Sequence, residues 1–476
     1  MLLDDTLTVY EKAKNAGVNV KLETQPKMFH SYVLYTNYVP ESRHSYQTLK
    51  NFITGIVDSA FVSNMEGGEA AINALTLAFP VQMLMVAIGI GTGVGVNVLL
   101  ARSLGEGDKE KASKAAGNGV FLGMVITAVF MLFGLFGADA YIGSQTSENT
   151  ISEMAVSYLR ICCVCSVGIV FFSVFEKVLQ AAGLTVQSTL AQISGAVINI
   201  ILDPIMIYGL LGCPKMGVQG AALATVIGQI ASFLIALFFH IKKNKSIKNG
   251  LRYIRPDKTT IKLIYKIGLP AIIAQALMSV MTYGINLILG AVDASLVTAY
   301  GLYYKIQQFI LFAAFGMRDT ITPIVSFAYG MRDDQRVKSG IKYGVLYTSV
   351  IMLSGTLLLE IIAEPLCAAF GLSGGTQALC VSATRIISAG FFFAGISLSL
   401  QGVFQALGRG LSSLIISLLR QLVLILPVAW ALSQFITPDL SNAWLVWLTF
   451  PFAEIITAFI ACILLKGSCR TGSTMR

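Results

Sequence analysis

Charged residues are scarce in this chain. They make up 12% of its 476 residues, against the ~25% usual in soluble domains, while 55% of residues are hydrophobic and the mean hydropathy is +0.72. This composition excludes an ordinary soluble domain and predicts a chain embedded in lipid. The formal charge of +9 comes from Lys and Arg in short loops between apolar runs, so a nucleic-acid partner is not expected.

Histidine is almost absent, and the cysteines form no recognisable site. The three histidines are His30 and His44 near the N-terminus and His240 at the end of an apolar run, so a proton relay within the membrane must use carboxylates. Cys162 and Cys165 have C-x-x-C spacing but lie inside an apolar run, where we expect them to pack as small hydrophobic residues. No metal or bound cofactor is expected, and no signal peptide is recognisable.

Apolar runs dominate the chain after residue 70. Eleven are long enough to cross the ~30 Å hydrocarbon core as helices. They span residues 74–101, 117–138, 155–180, 188–211, 217–241, 263–291, 298–325, 340–364, 378–404, 412–434 and 442–466. A twelfth run, Phe52–Val62, has about eleven residues and covers about half of the membrane. The pattern predicts an all-α polytopic membrane protein whose first transmembrane helix is truncated.

The chain repeats itself at an offset of 225 residues. Identical residues occupy the paired positions Ala74 and Ala299, Gln82 and Gln307, Gly105 and Gly330, Arg160 and Arg385, and Gln180 and Gln405. An ungapped match over this span predicts two homologous six-helix lobes. We assign the first lobe to residues 54–241 and the second to 263–476, joined by a basic cytoplasmic linker at 242–262. Residues 1–53 form a leader that does not belong to the transmembrane fold.

The same offset shows a defect at the front of the first lobe. Ile264–Gln275, the apolar start of the second lobe, falls opposite Val39–Lys50, which reads VPESRHSYQTLK. Each charged residue costs about 2.5–3.5 kcal/mol at the centre of a membrane helix. The first helix is therefore expected to lack its cytoplasmic half.

The charge of the loops predicts the orientation. The linker at 242–262 carries eight Lys and Arg residues, which places it in the cytoplasm. The loops at 102–116 and 326–339 are also basic, whereas 139–154 and 292–297 contain no basic residue. Both termini are then expected in the cytoplasm of a multi-pass protein of the bacterial inner or plasma membrane.

Ionisable residues inside the apolar runs are the candidate functional residues, because a charge in hydrocarbon is costly and is seldom kept without a role. There are eight of them. They are Asp58, Glu176, Lys177, Asp203, Arg318, Asp319, Arg420 and Glu454.

Asp58 and Asp203 stand out by their depth. Each is expected roughly 10 Å below the outer surface of its helix, which allows both to line one cavity. Asn199 precedes Asp203 by four residues and shares its helix face, while Pro204 frees the carbonyl of Ile200. A carboxylate, an amide and a free carbonyl are suited to bind H⁺ or Na⁺. The alternative is that Asp203 only hydrogen-bonds its own kinked helix.

The remaining charges allow both a functional and a structural interpretation. Glu176 and Lys177 are neighbours near a cytoplasmic helix end, where their side chains reach the water interface by snorkelling if they have no cavity role. Arg318 and Asp319 lie a few turns from such an end, and a buried ion pair with neighbouring helices is their structural alternative.

The last pair and a glycine series complete the pattern. Arg420 and Glu454 lie near the middle of two runs and are expected to contact each other if those helices are neighbours. Glycines at every second position from Gly89 to Gly95 resemble a phosphate loop, but no strand precedes them. They are expected to allow close helix packing or a bend.

Several ordered motifs carry a family resemblance from about residue 54 to the end. They are GIVDSAFVS around Asp58, LGEGDKEKA from Leu104, QAAG from Gln180, NIILDPIMIYG from Asn199, GVQGAALAT from Gly217 and QALGRG from Gln405. In these motifs the chain resembles the multidrug and toxin extrusion (MATE) family, in its DinF/MepA-like branch.

The resemblance implies a fold and a function. It implies two six-helix lobes around a central cavity that opens alternately to each side of the membrane. It also implies export of cationic and other amphipathic small molecules in exchange for H⁺ or Na⁺. The family's coupling residues correspond here to Asp58, Asn199 and Asp203. The expected partners are these compounds and the lipid bilayer, with the protein acting as a monomer.

Residues 1–53 resemble a different class of protein. LLDDTLTVYEKAKNAGVNVKLE from Leu2 is typical of a helix followed by a strand. PKMFHSY from Pro26 places His30 where α/β-hydrolase esterases of the hormone-sensitive-lipase group keep their triad histidine. No G-x-S-x-G elbow occurs in this part, so no hydrolase activity is expected.

Three other interpretations stay open at this point. One is a flippase for lipid-linked oligosaccharides, which belongs to a related class and is expected to have extra helices and a cationic cavity. Another is a membrane-tethered esterase, against which the missing serine elbow argues. The third is a truncated transporter copy that has lost its function.

Overall fold

The fold is helical throughout the part of the chain that the structure describes. A computed structural model describes residues 68–146, 148–369 and 374–470. The helices of the first half are α1 Gly68–Gly105, α2 Lys109–Phe136, α3 Ala138–Gly143, α4 Asn149–Val164, α5 Val167–Ala181, α6 Thr185–Tyr208 and α7 Val218–Lys243. Those of the second half are α8 Lys258–Gly290, α9 Ala294–Gly330, α10 Asp334–Ala369, α11 Gly374–Ser388, α12 Phe391–Ala406, α13 Gly410–Leu418, α14 Ile425–Ser433, α15 Trp444–Trp447 and α16 Thr449–Arg470.

The described helices are long and apolar enough to cross a membrane. Nine spans satisfy this by themselves, and the bent pairs α4–α5 and α11–α12 bring the number to eleven within the described ranges. The bends measure 43° and 52°. Eleven spans agree with the eleven long apolar runs, and the predicted all-α polytopic fold is confirmed. The truncated twelfth run, Phe52–Val62, lies outside the described residues.

The 225-residue repeat is visible in the helix boundaries. Shifted by the offset, α6 coincides with the span made by α13, a π-helical turn at Leu419–Val423, and α14. The helix after each basic hairpin begins in the same way. Asp108 accepts a hydrogen bond from Lys111 N, and Asp333, its counterpart, accepts one from Arg336 N, both at 2.9 Å. The repeat therefore extends from sequence identity to local backbone structure.

Hydrogen bonds from side chains to the backbone also occur at positions that the 225-residue offset makes equivalent in the two halves. Asn97 Nδ2 donates to the carbonyl oxygen of Lys177 at 2.9 Å, joining α1 to α5. At the equivalent positions of the second half, Thr322 Oγ1 donates to the carbonyl oxygen of Gly402 at 3.3 Å. A polar side chain at this position thus hydrogen-bonds the equivalent pair of helices together in each half.

Two surface ion pairs also occupy equivalent positions in the two halves. Arg160 Nη2 lies 2.5 Å from Asp139 Oδ2, and Arg385 Nη2 lies 3.1 Å from Glu364 Oε1. Each arginine and each carboxylate is separated from its counterpart by the same 225 residues. The tertiary contacts therefore support the predicted homology of the lobes.

The predicted linker at 242–262 is shorter in the structure, where only residues 244–257 lie between α7 and α8. Helix α8 begins early because Asp257 caps it, accepting a hydrogen bond from Thr260 N at 2.9 Å. Hydrogen bonds from Thr260 lower the pKa of Asp257 below its usual value. Asp257 N in turn donates to Asn118 Oδ1 of α2 at 2.8 Å, so the linker is fastened to the first half.

Closely packed glycines mark where the halves meet. A Cβ atom at Gly91 would collide with Ile272 of α8, and one at Gly95 would collide with the carbonyl oxygen of Ile264. Helices α1 and α8 therefore approach backbone to backbone, as small residues permit in membranes. The prediction that this glycine series serves helix packing is confirmed at these two positions.

The ends of α1 and α9 form a second close contact. A Cβ at Gly105 would meet the carbonyl oxygen of Phe327, and one at Gly330 would meet that of Arg102. These two contacts are related by the offset, so they lie about a pseudo-two-fold axis between the halves. The loops next to this contact are those at 106–108, 244–257 and 331–333. Lys and Arg residues cluster around these loops, and we call this end of the molecule the basic end.

Separate apolar cores fill the two halves toward the opposite end. The core of the first half includes Ala78, Phe130 and Leu159. The core of the second half includes Tyr300 and Trp447. Each of these cores draws its members from one half alone, whereas the apolar clusters around α1 and α8 near the basic end contain members of both. The structure is therefore closed at the basic end.

Candidate functional site

A buried carboxylate and amide occupy one face of α6. Asp203 is 0% exposed and Asn199 is 3% exposed. Asn199 Nδ2 donates to Asp203 Oδ1 at 3.2 Å, as their four-residue spacing predicts. Asn199 also packs against Gly228 of α7, where a Cβ would collide with it. The Asn199 Oδ1 atom is buried and makes no hydrogen bond to a described residue. The carboxylate oxygens of Asp203 and the amide oxygen of Asn199 thus belong to one buried site, and oxygen ligands of this kind suit a small cation.

The third predicted coupling residue, Asp58, lies outside the described residues. A cavity shared by Asp58 and Asp203 therefore stays a prediction. The same holds for the leader at residues 1–53, including its resemblance to an esterase tail.

A charge cluster joins the two halves toward the basic end. Lys177 Nζ of α5 lies 2.7 Å from Asp319 Oδ2 of α9. The two side chains are only 5% and 16% exposed. Glu176 Oε1 lies 3.7 Å from the same ammonium, and Arg318 Nη2 lies 3.0 Å from Asp319 Oδ1. Two cations and two carboxylates thus form one neutral network.

This arrangement corrects the snorkelling interpretation of Lys177. Its ammonium does not extend to the interface but turns inward to the second half. No pattern in the sequence predicted this partner, which is 142 residues away. The repeat and the QAAG motif singled out Gln180 but did not predict its part in this cluster. Its Oε1 accepts a hydrogen bond from Lys177 Nζ at 3.2 Å, and its Nε2 donates to Glu176 Oε1 at 2.8 Å.

Glycines make room for both cations of the cluster. A Cβ at Gly93 would lie 2.9 Å from Lys177 Cγ, and one at Gly402 would lie 2.9 Å from Arg318 Cγ. Gly93 is the repeat counterpart of Arg318, and Gly402 is that of Lys177. Each half therefore places one cation against one glycine, but on exchanged helices.

A second buried ion pair lies within the second half. Arg420 Nε is 2.5 Å from Glu454 Oε1, and Ser397 Oγ donates to Glu454 Oε2 at 3.3 Å. Arg420 belongs to the π-helical turn at Leu419–Val423. The predicted contact between Arg420 and Glu454 is confirmed. Ser397 was not recognised in the sequence because an uncharged hydroxyl is ordinary in a membrane helix.

A small cavity of about 40 Å³ opens beside this ion pair. Its walls include the charged pair, the neighbouring amide of Gln421, and the aromatic rings of Tyr304, Phe315 and Phe450. This volume is far below the roughly 300–1,000 Å³ of sites that hold drug-sized molecules. The second half thus contains a polar and aromatic cavity distinct from the Asn199–Asp203 pair.

Comparison with known proteins decides the family. The MatE family matches residues 47–205 and 270–431, more than half of the chain. The chain belongs to the MATE family. MATE proteins are transporters, so the prediction that the chain is not an enzyme is confirmed. This protein is accordingly a multi-pass transporter of the cell membrane.

Individual MATE relatives cover most of the chain. The multidrug export protein MepA of Staphylococcus saprophyticus is 24% identical over 386 residues, covering 81% of this chain and 84% of the relative. MepA of Staphylococcus haemolyticus is 24% identical over 414 residues, covering 87% and 89%. A solved MATE multidrug resistance transporter in an outward-facing conformation superposes with a TM-score of 0.83 at 24% identity, covering 94% of this chain and 99% of that one. At this identity, the structural similarity establishes the fold alone.

The flippase interpretation has little support from the charges of this MATE protein. It required a cationic cavity, for which Lys177, Arg318 and Arg420 were the candidates. Lys177 and Arg318 are both bound to Asp319, and Arg420 is bound to Glu454. With Glu176 as the second carboxylate beside Lys177, three carboxylates balance the three cations, and no excess positive charge remains at these positions.

Proposed function

We propose that this MATE protein exports amphipathic compounds, many of them cationic, in exchange for H⁺ or Na⁺ that is loaded at Asp203, Asn199 and Asp58. The observation that carries the proposal is the complete burial of Asp203 beside Asn199. A carboxylate in apolar surroundings costs several kcal/mol. A charge kept at this cost inside a membrane protein is typical of an ion pathway.

The chemistry of the pair suits either coupling ion. A proton neutralises the Asp203 carboxylate and removes most of its desolvation cost. A sodium ion, being a hard cation, takes oxygen ligands, and both the carboxylate and the buried Asn199 Oδ1 supply them. Either ion therefore lowers the free energy of the buried site, which links ion binding to the conformation that buries it.

Alternating access is supported by the way in which the halves meet. The structure is closed at the basic end by glycine contacts and by the ion pair of Lys177 with Asp319. If the basic end faces the cytoplasm, as the loop charges predict, this is an outward-facing state. The inward-facing state then requires the two lobes to rock apart here, which separates Lys177 from Asp319.

The substrate class follows from the relatives and from the composition of the cavity. MepA proteins are named as multidrug export proteins, and the small cavity of the second half has the aromatic and polar lining that is typical of sites for amphipaths. Cationic compounds are favoured because the coupling site carries carboxylates. Export of such compounds is therefore the activity to measure.

The decisive experiment is ethidium efflux from energised cells expressing the whole chain. Asp203→Asn keeps the shape of the side chain but removes its titratable charge, so we expect the export driven by an imposed H⁺ or Na⁺ gradient to be abolished. Val428→Thr, at the repeat counterpart of Asp203, is the matched control and should export normally. Full export by the Asp203→Asn protein would disprove the coupling role. Testing the two gradients separately identifies the ion.

A second comparison addresses the front of the chain. Ethidium efflux by the chain as given is measured beside a version whose residues 1–53 are replaced by a full apolar first helix. Export by both proteins would show that the short run Phe52–Val62 suffices. Export by the repaired version alone would make this chain a non-functional copy of a MATE transporter.

A further inference from the structure

Two buried cysteines face each other where α10 packs on α11. Cys367 lies two residues before the end of α10, and Cys380 lies in the second turn of α11. Their Sγ atoms are 3.1 Å apart, and both residues are 0% exposed. The two thiols are therefore in direct contact, although 13 positions separate them in the sequence and no motif marks them.

Packing alone does not require cysteine at these two positions. The 225-residue offset pairs Cys367 with Ile142 of α3 and Cys380 with Ala155 of α4. Both of these first-half residues are also 0% exposed, and both belong to the apolar core of that half. An isoleucine and an alanine thus occupy the equivalent buried positions. The pair of thiols is an addition that only the second half has.

Further contacts keep the same two helices in register. Arg385 Nη2 of α11 lies 3.1 Å from Glu364 Oε1 of α10. On later turns, Thr356 Oγ1 of α10 donates to the carbonyl oxygen of Ser388 of α11 at 2.8 Å. These contacts follow the cysteine pair in order along the antiparallel helices. The approach of the two sulfur atoms is therefore fixed by the packing of the whole hairpin.

The place of the pair in the membrane decides whether the thiols stay reduced. Helix α10 begins at the loop 331–333 of the basic end, so Cys367 lies near the opposite end of the molecule. If the basic end faces the cytoplasm, as the loop charges predict, the pair is on the extracytoplasmic side, where disulfides form and persist. A disulfide bond is about 2.05 Å long, so the sulfur atoms need to approach by about 1 Å, which small side-chain rotations provide.

We propose that Cys367 and Cys380 are joined by a disulfide that an extracytoplasmic thiol–disulfide oxidoreductase introduces. One cysteine thiolate attacks a sulfur of the disulfide of the oxidoreductase, and the second thiolate then displaces that enzyme from the mixed disulfide. The two cysteines are oxidised to one disulfide. The disulfide of the oxidoreductase is reduced to two thiols, which take up the two protons that the cysteines lose.

Burial determines when the bond forms and what it does. Because neither cysteine is exposed in the folded protein, the exchange takes place while the hairpin of α10 and α11 is still forming. The bond then limits the conformations of the unfolded chain and stabilises the hairpin. Packing shields it from reductants, so it acts as a permanent clamp. The inference rests on the predicted orientation and is independent of the proposed export.

Peptide mapping of the whole chain tests the bond. Cells that express the protein are quenched in acid, which prevents oxidation by air, and free thiols are alkylated in SDS. Chymotrypsin cleaves after Phe370 and Leu372, between the two cysteines. The peptides with Cys367 and Cys380 should stay joined and should separate on reduction. Recovery of both cysteines in the alkylated form would overturn the proposal.

Matched variants locate the bond. Cys367→Ile with Cys380→Ala introduces the residues that the first half has at these positions. The control, Cys162→Ile with Cys163→Ser, introduces the second-half residues at another buried cysteine pair. Reduction before alkylation should expose two further thiols in the unmodified protein and in the control, and none in the first variant. Two further thiols in the first variant would place the bond elsewhere and overturn the assignment.

Heating with and without a reductant measures the role of the bond. Unfolding exposes the disulfide to the reductant, so the reductant should lower the midpoint of thermal unfolding of the unmodified protein and of the control. The variant with Cys367 and Cys380 replaced should keep its midpoint. A midpoint of the unmodified protein that does not respond to the reductant would disprove the clamp. Loss of ethidium efflux by the unmodified protein would count against the export proposal alone, because none of these readouts depends on transport.

Discussion

Helix α6 of the first half and the α13–α14 span of the second half lie 225 residues apart and occupy equivalent places in the repeat. In α6 the polar positions are Asn199 and Asp203, whose counterparts are Leu424 and Val428. In the second half the charge is on Arg420 instead, opposite Glu454. Helix α6 therefore carries a carboxylate and an amide, whereas the α13–α14 span carries a guanidinium that is paired with Glu454.

The difference between the halves indicates which features serve the scaffold and which serve chemistry. Features that both halves keep, such as the side-chain bonds from Asn97 and Thr322, fasten equivalent helices. Features that only one half has, such as Asp203 and Arg420, do not serve the common fold, because the other half folds without them. Departures from the repeat are thus the best guide to the functional residues.

The largest expected effect concerns the pair that joins the halves. Lys177→Met leaves Asp319 with Arg318 alone, and breaking a buried pair costs about 3–5 kcal/mol. We expect strongly reduced export and a lower midpoint of thermal unfolding. Lys177→Gln combined with Asp319→Asn should lose less stability than the sum of the two single changes, because no unpaired charge remains. Circular dichroism of the purified proteins during heating measures this, and simple additivity would contradict the direct coupling.

The two glycines beside the cations provide a matched comparison. Gly93→Ala and Gly402→Ala each place a methyl group 2.9 Å from a side-chain carbon of Lys177 and Arg318, respectively. Such overpacking costs about 1–3 kcal/mol. Because each glycine faces its cation at the same pair of repeat positions, with the two roles exchanged between the halves, we expect similar losses of thermal stability. A loss at one position only would show that the halves do not pack their cations alike.

The fastening hydrogen bonds should differ modestly between the halves. Asn97 donates at 2.9 Å, whereas Thr322 donates to Gly402 at 3.3 Å and also lies 2.8 Å from the carbonyl oxygen of Arg318. We expect Asn97→Ala to cost about 1–2 kcal/mol and Thr322→Ala less than about 1 kcal/mol. Denaturation of the two variants in the same detergent provides the measurement. A larger loss of stability for Thr322→Ala than for Asn97→Ala would contradict this prediction.

The smallest effects are expected at the surface ion pairs. Arg160 and Asp139 are 44% and 64% exposed, and Arg385 and Glu364 are 46% and 66% exposed. Exposed pairs contribute about 0–1 kcal/mol. Arg160→Gln and Arg385→Gln should therefore leave both stability and ethidium export nearly unchanged. A clear loss of stability or of export in either variant would mean that this repeated ion pair has a role in folding or transport.

Much of the fold was accessible from sequence because lipid restricts the choice of structure. Backbone groups in hydrocarbon must be satisfied within their own segment, so each long apolar run had to be a helix. The spacing of Asn199 and Asp203 placed them on one face, and the structure joins them at 3.2 Å. The short run Phe52–Val62 with its Asp58, and the leader at residues 1–53, stay predictions because they lie outside the described residues.

The candidate site was only partly accessible, since it depends on which helices become neighbours. Lys177 was interpreted as a snorkelling residue from its place near a helix end, yet its ammonium binds Asp319 in the other half at 2.7 Å. No local pattern predicts a partner 142 residues away. The contacts of Gln180 with the charge cluster and the place of Gln421 beside Arg420 were not predicted, because an uncharged amide in a membrane helix is unremarkable until its surroundings are known.

The membrane setting, the helical class, the duplication and the family follow from the amino-acid sequence alone, because hydropathy, repeat and motif are properties of residue order along the chain. The closure of the halves at the basic end, the contact of Lys177 with Asp319 and the pairing of Arg420 with Glu454 are visible only in the tertiary structure. These facts depend on packing, where the absence of a side chain at Gly93 or Gly402 decides what its neighbour can reach.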